Sequence, residues 1–231
     1  MGKIENLDFK KSTLRKINNY LQNISYKNNK REFTVKNPSG HHALCAGLTE
    51  NISVNIKGHV GYYCGGMNQK AHITINGNAG TGLGENMMSG LIHVKGNASQ
   101  SAGATAHGGT IVIDGDTSSR CGISMKGIDI IVKGSVGHMS GFMAQSGTML
   151  ICGDAGEALG DSIYETIIYL AGKPKSLGVD CVEKKMNKKD IKKIEDLLKI
   201  GKIKNLNSHN FKKFGSQRKL YNFNIDNMSD Y

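Results

Sequence analysis

Tryptophan is absent from the 231 residues, and proline occurs only twice, at Pro38 and Pro174. Alongside 30 glycines, that shortage of proline excludes collagen and a Pro-rich disordered chain. It leaves a repetitive architecture that needs many tight corners. No run approaches the ~20 apolar residues of a membrane span, so no membrane partner is expected. The opening MGKIENLDFKKS has neither the apolar core of a secretion signal nor the Ser/Thr of a myristoylation motif. Five cysteines (Cys45, Cys64, Cys121, Cys152, Cys181), odd in number and without a C-x-x-C pair, point to free thiols in a reducing cytoplasm.

An excess of positive charge is missing only from the middle. Residues 1–36 carry +6 and residues 183–231 carry +7, whereas 37–182 carry −2. The basic character therefore belongs to the ends. Without interleaved aromatics it fits an acidic protein partner or a solvated surface better than a nucleic acid.

What is there is a repeat. Gly58, Gly77, Gly96, Gly115, Gly134, Gly153 and Gly172 stand 19 residues apart every time. Two apolar residues precede each at offsets −4 and −2, from Val54/Ile56 through Ile111/Ile113 to Ile168/Leu170. That alternation is a short strand with one buried face. A second glycine follows at offset +7 (Gly65, Gly84, Gly103, Gly122, Gly141, Gly160), and offset +3 is small through the first six turns. A 19-residue unit cannot form its own core, so equivalent strands must stack as parallel sheets. The spacing predicts an all-β, right-handed parallel β-helix of seven to eight turns over about 32–182. In the register extended backwards, Ser39 is the key residue of a first, degenerate turn. Each key glycine is expected to supply a positive φ or a close backbone approach; at Gly115 a positive φ is expected.

An open β-helix needs caps. Segment 12–24 puts Leu14, Ile17, Leu21 and Ile24 on one helical face, with Ser12 or Thr13 as N-cap. Segment 187–200 does the same with Ile191, Ile194, Leu197 and Leu198, Asn187 as cap and Gly201 at its end. A capping helix and linker are thus expected over 1–31. Over 183–231 the reading is a basic helix and an extended tail carrying Phe211, Phe214, Tyr221 and Phe223.

Cys45, Cys64 and Cys121 share offset +6 with Leu83, Ala102, Ser140 and Leu159, a column that reads as inward-facing. Cys121 lies three rungs from Cys64, roughly 14 Å, so the three do not form an iron–sulfur site in this register. The histidines (His41, His42, His59, His72, His93, His107, His138, His209) contain no H-E-x-x-H, and His41–His42 reads as a surface loop. Met67, Met87, Met88, Met125, Met139 and Met143 read as adaptable core filler. No phosphate-loop motif, catalytic triad or carboxylate pair stands out. No catalytic, cofactor-binding or metal-ligating residue is assigned; the glycine column is structural.

The segments GYYCGGMNQ (61–69), GENMMSG (84–90), SSRCGISMKGIDIIVKGSVGHMSGFMAQSG (118–147), GEALGDSIYE (156–165) and KSLGVDCVEKKM (175–186) carry a resemblance. They resemble the C-terminal β-helix of glutamate synthase large subunits, and within it the stand-alone B-type subunit of N-methylglutamate synthase (methylamine–glutamate N-methyltransferase). The resemblance implies a non-catalytic subunit joining a glutamine amidotransferase-like subunit to an FMN and iron–sulfur synthase-like subunit, with no cofactor of its own. The complex would make N-methylglutamate from glutamate and methylamine. A split-subunit glutamate synthase, a subunit of formylmethanofuran dehydrogenase and a free-standing binding module remain open.

Overall fold

A computed structural model describes residues 4–24 and 31–218. Tyr221 and Phe223 lie outside the described residues. The apolar pairs form parallel strands as their spacing requires: β2 (Glu32–Lys36), β3 (Ser53–Lys57), β4 (His72–Ile75), β5 (Leu91–Val94), β6 (Thr110–Ile113), β7 (Lys126–Val132), β8 (Ser146–Ile151) and β9 (Ile167–Leu170). From β3 onward, offset −4 stacks on offset −4: Val54 pairs with Ile73, Ile73 with Ile92, and so on to Ile168. The stack is a parallel β-solenoid, its inward column Val54 to Ile168 essentially without solvent exposure. A narrower ladder at offset +2 links Val60, Ala79, Ala98 and Thr117, and then Val136, Ala155 and Pro174. The sheet extends past 32–182 at both ends: β1 (Glu5–Asp8) pairs with β2, and a late strand joins beyond β9.

Gly115 shows why the key column is glycine, and the reason is not a positive φ. Of that column only Gly58 has one, at 139°. A Cβ on Gly115 would collide with the Asn97 carboxamide oxygen and stand 3.0 Å from the Gly96 carbonyl oxygen. The corner is tight because successive rungs are about 4.8 Å apart and their backbones run directly over one another. The collision partner has a task of its own. At offset +1 each side-chain acceptor takes the backbone N–H of the next rung. Asn78 N donates to His59 Nδ1, Asn97 N to Asn78 Oδ1, Asp116 N to Asn97 Oδ1, and Ser135 N to Asp116 Oδ1. Asp154 N then donates to Ser135 Oγ and Lys173 N to Asp154 Oδ1. Lys173 offers no acceptor and closes the series.

The left-handed residues gather at the opposite corner, at offsets +5, +7 and +9. Gly84 has φ 62°, and a Cβ on it would press into the core, 2.7 Å from Ile111 Cδ1. Positions +5 and +9 adopt the same conformation with ordinary side chains, such as Arg120 (φ 58°), Met67 (54°) and Met143 (50°).

The first turn departs from the 19-residue register. Val35 pairs with Ile56, 21 residues on, so Asn37 rather than Ser39 takes the place of Gly58. The cause is a local turn around Pro38, whose carbonyl accepts the His41 N–H at 2.9 Å while Asn37, Ser39 and Gly40 all adopt positive φ. The shift carries downstream. Gly65 N–H donates to Leu44, whereas Gly84 N–H donates to Cys64, so Leu44 occupies the column of Cys64. Cys45 therefore sits one place later, in the column of Gly65, with φ 59°.

The two helices act differently. In α1 (Leu14–Gln22), capped by Thr13, Ile17 and Leu21 plug the first rung of the core, with Ile24 just beyond. Asn18 donates to Ala43 O at 2.7 Å and accepts from Cys45 N at 2.9 Å, and Gln22 donates to Ala46 O at 2.8 Å. Amide side chains thus satisfy backbone groups that no earlier rung reaches. By contrast α2 (Lys188–Gly201), with a capping box from Asn187 and Asp190, lies on the flank rather than over an end. Its Ile194, Leu197 and Leu198 cover Val112, Ile131, Leu150 and Tyr169, the outward residues of β6–β9. Burying each of those four stabilises the packing by roughly 1.5–3 kcal/mol.

After α2 the described residues continue to Arg218. The chain turns through Ser208–Asn210 into β11 (Lys212–Ser216), which runs antiparallel between β9 and β10 (Cys181–Lys184). Phe214 enters the main core and Phe211 the flank cluster. Tyr169 Oη donates to Asp190 Oδ1 at 2.7 Å, and Lys213 Nζ lies 2.8 Å from the same oxygen. One carboxylate thereby ties β9, α2 and β11 together.

Two substitutions test these contacts. Gly115→Ala already brings the colliding atom, and Gly115→Val adds bulk; the valine is expected to cost about 3 kcal/mol, read as a lowered melting temperature. An unchanged melting point for both would refute the close approach. For Asp190, burial raises the carboxyl pKa, but the bonds from Lys213, Tyr169 and Asn187 N–H outweigh it and hold it below the usual carboxylate value. Its contribution is then present above the unfolded carboxyl's pKa and lost as pH falls through the lower folded value. Asp190→Ala, which strands Lys213, is expected to cost about 3 kcal/mol at pH 7 and much less near pH 3, measured by denaturant melts at both.

Candidate functional site

The thiols were the first chemistry to place. Cys45, Cys64 and Cys121 are all fully buried, and Cys181 nearly so. Burial pushes the thiols of Cys64 and Cys121 up to about 12. Cys45 is raised by burial and then by neighbouring Cys64. A thiol so far above neutrality supplies almost no thiolate for nucleophilic attack or metal ligation. Cys152, half-buried beside Lys133, is raised less, to about 11, by burial that the Lys133 ammonium partly offsets. Cys64 and Cys121 stand three rungs apart, so an iron–sulfur cluster does not fit these residues. Among the described residues, no three His, Cys, Asp or Glu side chains come together as a metal-binding group.

The histidine pair packs rather than reacts. His41 stacks on Phe9 at 4.2 Å and its Nδ1 lies 2.6 Å from Pro38 O. His42 stacks on Tyr62 at 4.5 Å and accepts the Tyr62 N–H at 2.9 Å. Both rings brace the irregular first turn.

Sequence spacing did not single out the polar cluster on the outer sheet face, where Asp114 lies 2.8 Å from His93 Nε2, 2.7 Å from Lys133 Nζ and 3.5 Å from Lys95 Nζ. Burial raises the Asp114 pKa, yet the bonds to Lys133 and His93 bring it below the usual value. The signal was available: Lys95, Asp114 and Lys133 share offset −1 on consecutive rungs. A carboxylate clamped in this way between consecutive strands is a cross-strand staple.

The methionines divide by column. Met87 and Met125, at offset +10, are fully buried. Met67, Met88 and Met143 are 48%, 48% and 44% exposed, and Met139 is half-buried, so these four do not fill the core. Offsets +5 and +9 carry the left-handed residues, whose side chains point away from the core, and offset +11 faces solvent. The exposed surface is thus decorated with methionine and tyrosine (Tyr62, Tyr164) on its corner and with lysine on its flank.

No helix among the described residues is long and apolar enough to cross a membrane. The seven key glycines line up on consecutive rungs as a structural column; from Gly77 onward each has the preceding glycine's backbone against it, and Gly58 has the Pro38 ring.

The thiols give a direct test. In the native chain Cys152 is expected to alkylate first, with Cys45, Cys64 and Cys121 at least about a hundredfold slower than in denaturant. Metal analysis of the isolated chain is expected to find no stoichiometric iron or zinc. Fast native labelling of the three buried thiols, or one metal per chain, contradicts the packing.

Comparison with known proteins follows the same lines. Residues 10–227 match the GXGXG motif family. Protein GlxC of Rhizobium meliloti (strain 1021) is 50% identical over 225 residues, covering 97% of this chain and 99% of the relative. The chain belongs to the GXGXG motif family, the glutamate synthase-type β-helix family that its repeat resembles.

Proposed function

We propose that this chain is the non-catalytic scaffold subunit of a heteromeric glutamate synthase-like enzyme, and specifically of N-methylglutamate synthase. The observation that carries the reading is the way the solenoid disposes of its polar and nucleophilic groups. The corner acceptors are consumed in the inter-rung series, the central thiols are sealed in the core, and Asp114 and Asp190 are clamped by cations. Such a rod is suited to fixing the distance between two larger bodies. The match to a glutamate synthase-type relative along 97% of this chain supports the family part of the reading. The block at 118–147 supports the N-methylglutamate synthase branch.

On this reading the partners are a glutamine amidotransferase-like subunit and an FMN and iron–sulfur synthase-like subunit, which carry the cofactors. The methylamine nitrogen, with its methyl group, enters the glutamate skeleton on those partners. A split-subunit glutamate synthase that uses ammonia is the second reading, because the residues that choose the amine would lie on another chain.

The test is reconstitution. The purified chain is expected to show no glutaminase, synthase or methyltransferase activity and no tight FMN binding. Mixed with the amidotransferase-like and FMN-barrel subunits, it is expected to form a stable complex that makes N-methylglutamate from glutamate and methylamine. Activity with ammonia but not methylamine selects the second reading. Turnover by the isolated chain, or full activity of a complex lacking it, overturns both.

A further inference from the structure

The excess of positive charge gains a location once the chain is folded. Described residues 183–218 contain twelve Lys and Arg against four acids. Five of those cations face carboxylates: Lys193 with Asp129, Lys199 with Asp196, Lys212 with Glu183, Lys213 with Asp190 and Arg218 with Asp180. The other seven are exposed lysines without a carboxylate within 4 Å among the described residues. Lys184 and Lys185 belong to the end strand β10 and the residue after it, whereas Lys188, Lys189, Lys192 and Lys202 lie on and beside α2, on the flank. The helix begins at β9, where Asp190 meets Tyr169, and its last residue packs against Ile131 of β7. Ile203, just beyond, joins the same apolar cluster as Leu91 of β5. The helix therefore leads directly to the half of the sheet that it leaves bare.

That bare half differs in chemistry from the covered half. At offset −3 the outward residues are Thr34, Asn55, Thr74 and His93 on β2–β5, and only then Val112, Ile131, Leu150 and Tyr169. Beside the polar row Lys36 and Lys57, paired in register, stand exposed, and Lys95 follows two rungs on. A flat polar sheet face with aligned lysines runs on from a lysine-bearing helix, on a solenoid body whose own balance is slightly acidic.

We propose that this flank, with Lys188, Lys189, Lys192 and Lys202 on and beside α2 and Lys36 and Lys57 on the open strands, is the docking surface for an acidic face of a partner subunit. The inference rests on the scaffold reading above and adds which surface engages and what charge must meet it. A protein fits better than a nucleic acid for two reasons. Exposed Glu195 and Asp196 interrupt the lysines on α2, which a uniformly charged phosphate backbone would meet unfavourably but a mosaic protein surface can match. In addition, the exposed tyrosines that could stack on bases, Tyr20, Tyr62 and Tyr164, belong to α1 and the left-handed corner.

The experiment is amine footprinting with an N-hydroxysuccinimide acetate on the free chain and on the complex with the amidotransferase-like and FMN-barrel subunits. Lys188, Lys189, Lys192, Lys36 and Lys57 are expected to react about tenfold more slowly in the complex, while Lys16 on α1 and Lys173 at the corner keep their free-chain rates. The triple variant Lys188→Glu/Lys189→Glu/Lys192→Glu is expected to slow assembly about tenfold at low salt, the gap closing in 0.5 M NaCl. The pair Lys16→Glu/Lys173→Glu is the charge-matched control for the flank pair Lys188→Glu/Lys189→Glu, and only the flank pair is expected to slow assembly. A complex that forms and turns over with the flank lysines still reactive overturns this inference and leaves the scaffold reading standing. Failure of any complex to form overturns both. A duplex oligonucleotide that protects the same lysines at 0.15 M NaCl as strongly as the subunits do overturns the acidic-protein assignment.

Discussion

Successive turns of this chain can lie one rung apart only where the backbones cross without side chains between them, and that close approach governs everything else. At the key corner a glycine of one rung rests against the glycine before it, as Gly77 rests 2.6 Å (measured from a Cβ it does not have) from the Gly58 carbonyl carbon. Next to it the acceptor at offset +1 takes the following N–H, so steric absence and polar presence operate side by side. Together they hold seven turns in a common register and let one inward column of Val, Ile and Met form a continuous core. Where proline stands in the acceptor position, at Pro38, the register slips and the first turn lengthens.

Much of this was legible in the residues because the period is strict. Seven glycines and fourteen apolar partners at fixed offsets specify strands, stacking and the inward column without ambiguity. The first turn was not legible, because Ser39 preserves the period and nothing in the letters distinguishes a turn of 19 residues from one of 21. Nor can a glycine letter say whether it serves a positive φ, as Gly84 does, or a backbone crossing, as Gly115 does. Met67 and Met87 differ by a single column, yet one faces solvent and the other fills the core. The placement of α2 was readable in hindsight from offset −3, which turns from Asn55, Thr74 and His93 to Val112, Ile131, Leu150 and Tyr169. That change marks half of an outer sheet face as covered.

The functional surface follows from the same division. The corner acceptors, Asp114 and Asp190 are engaged in holding rungs together, and the exposed surface differs from side to side in shape and charge. The methionine-bearing corner and the lysine-bearing flank are distinct in composition and belong to different sides of the repeat. A rod with two unlike faces can receive two unlike neighbours, as the proposed scaffold role requires.

The flank position of α2 also bears on how the chain is made. Each rung contacts the one before it at a separation of about 19 residues, so the solenoid can grow turn by turn as it leaves the ribosome, with α1 already seated on the first rung. The lid for β6–β9 follows every parallel strand in the order of synthesis, and β11 follows the lid. Val112 is translated some eighty residues before Ile194, Ile131, Leu150 and Tyr169 join it in turn, and the oily strip they form stays uncovered until α2 is made. The nascent protein thus has its most adhesive surface late, on a nearly complete fold, at the site where α2 will close over it.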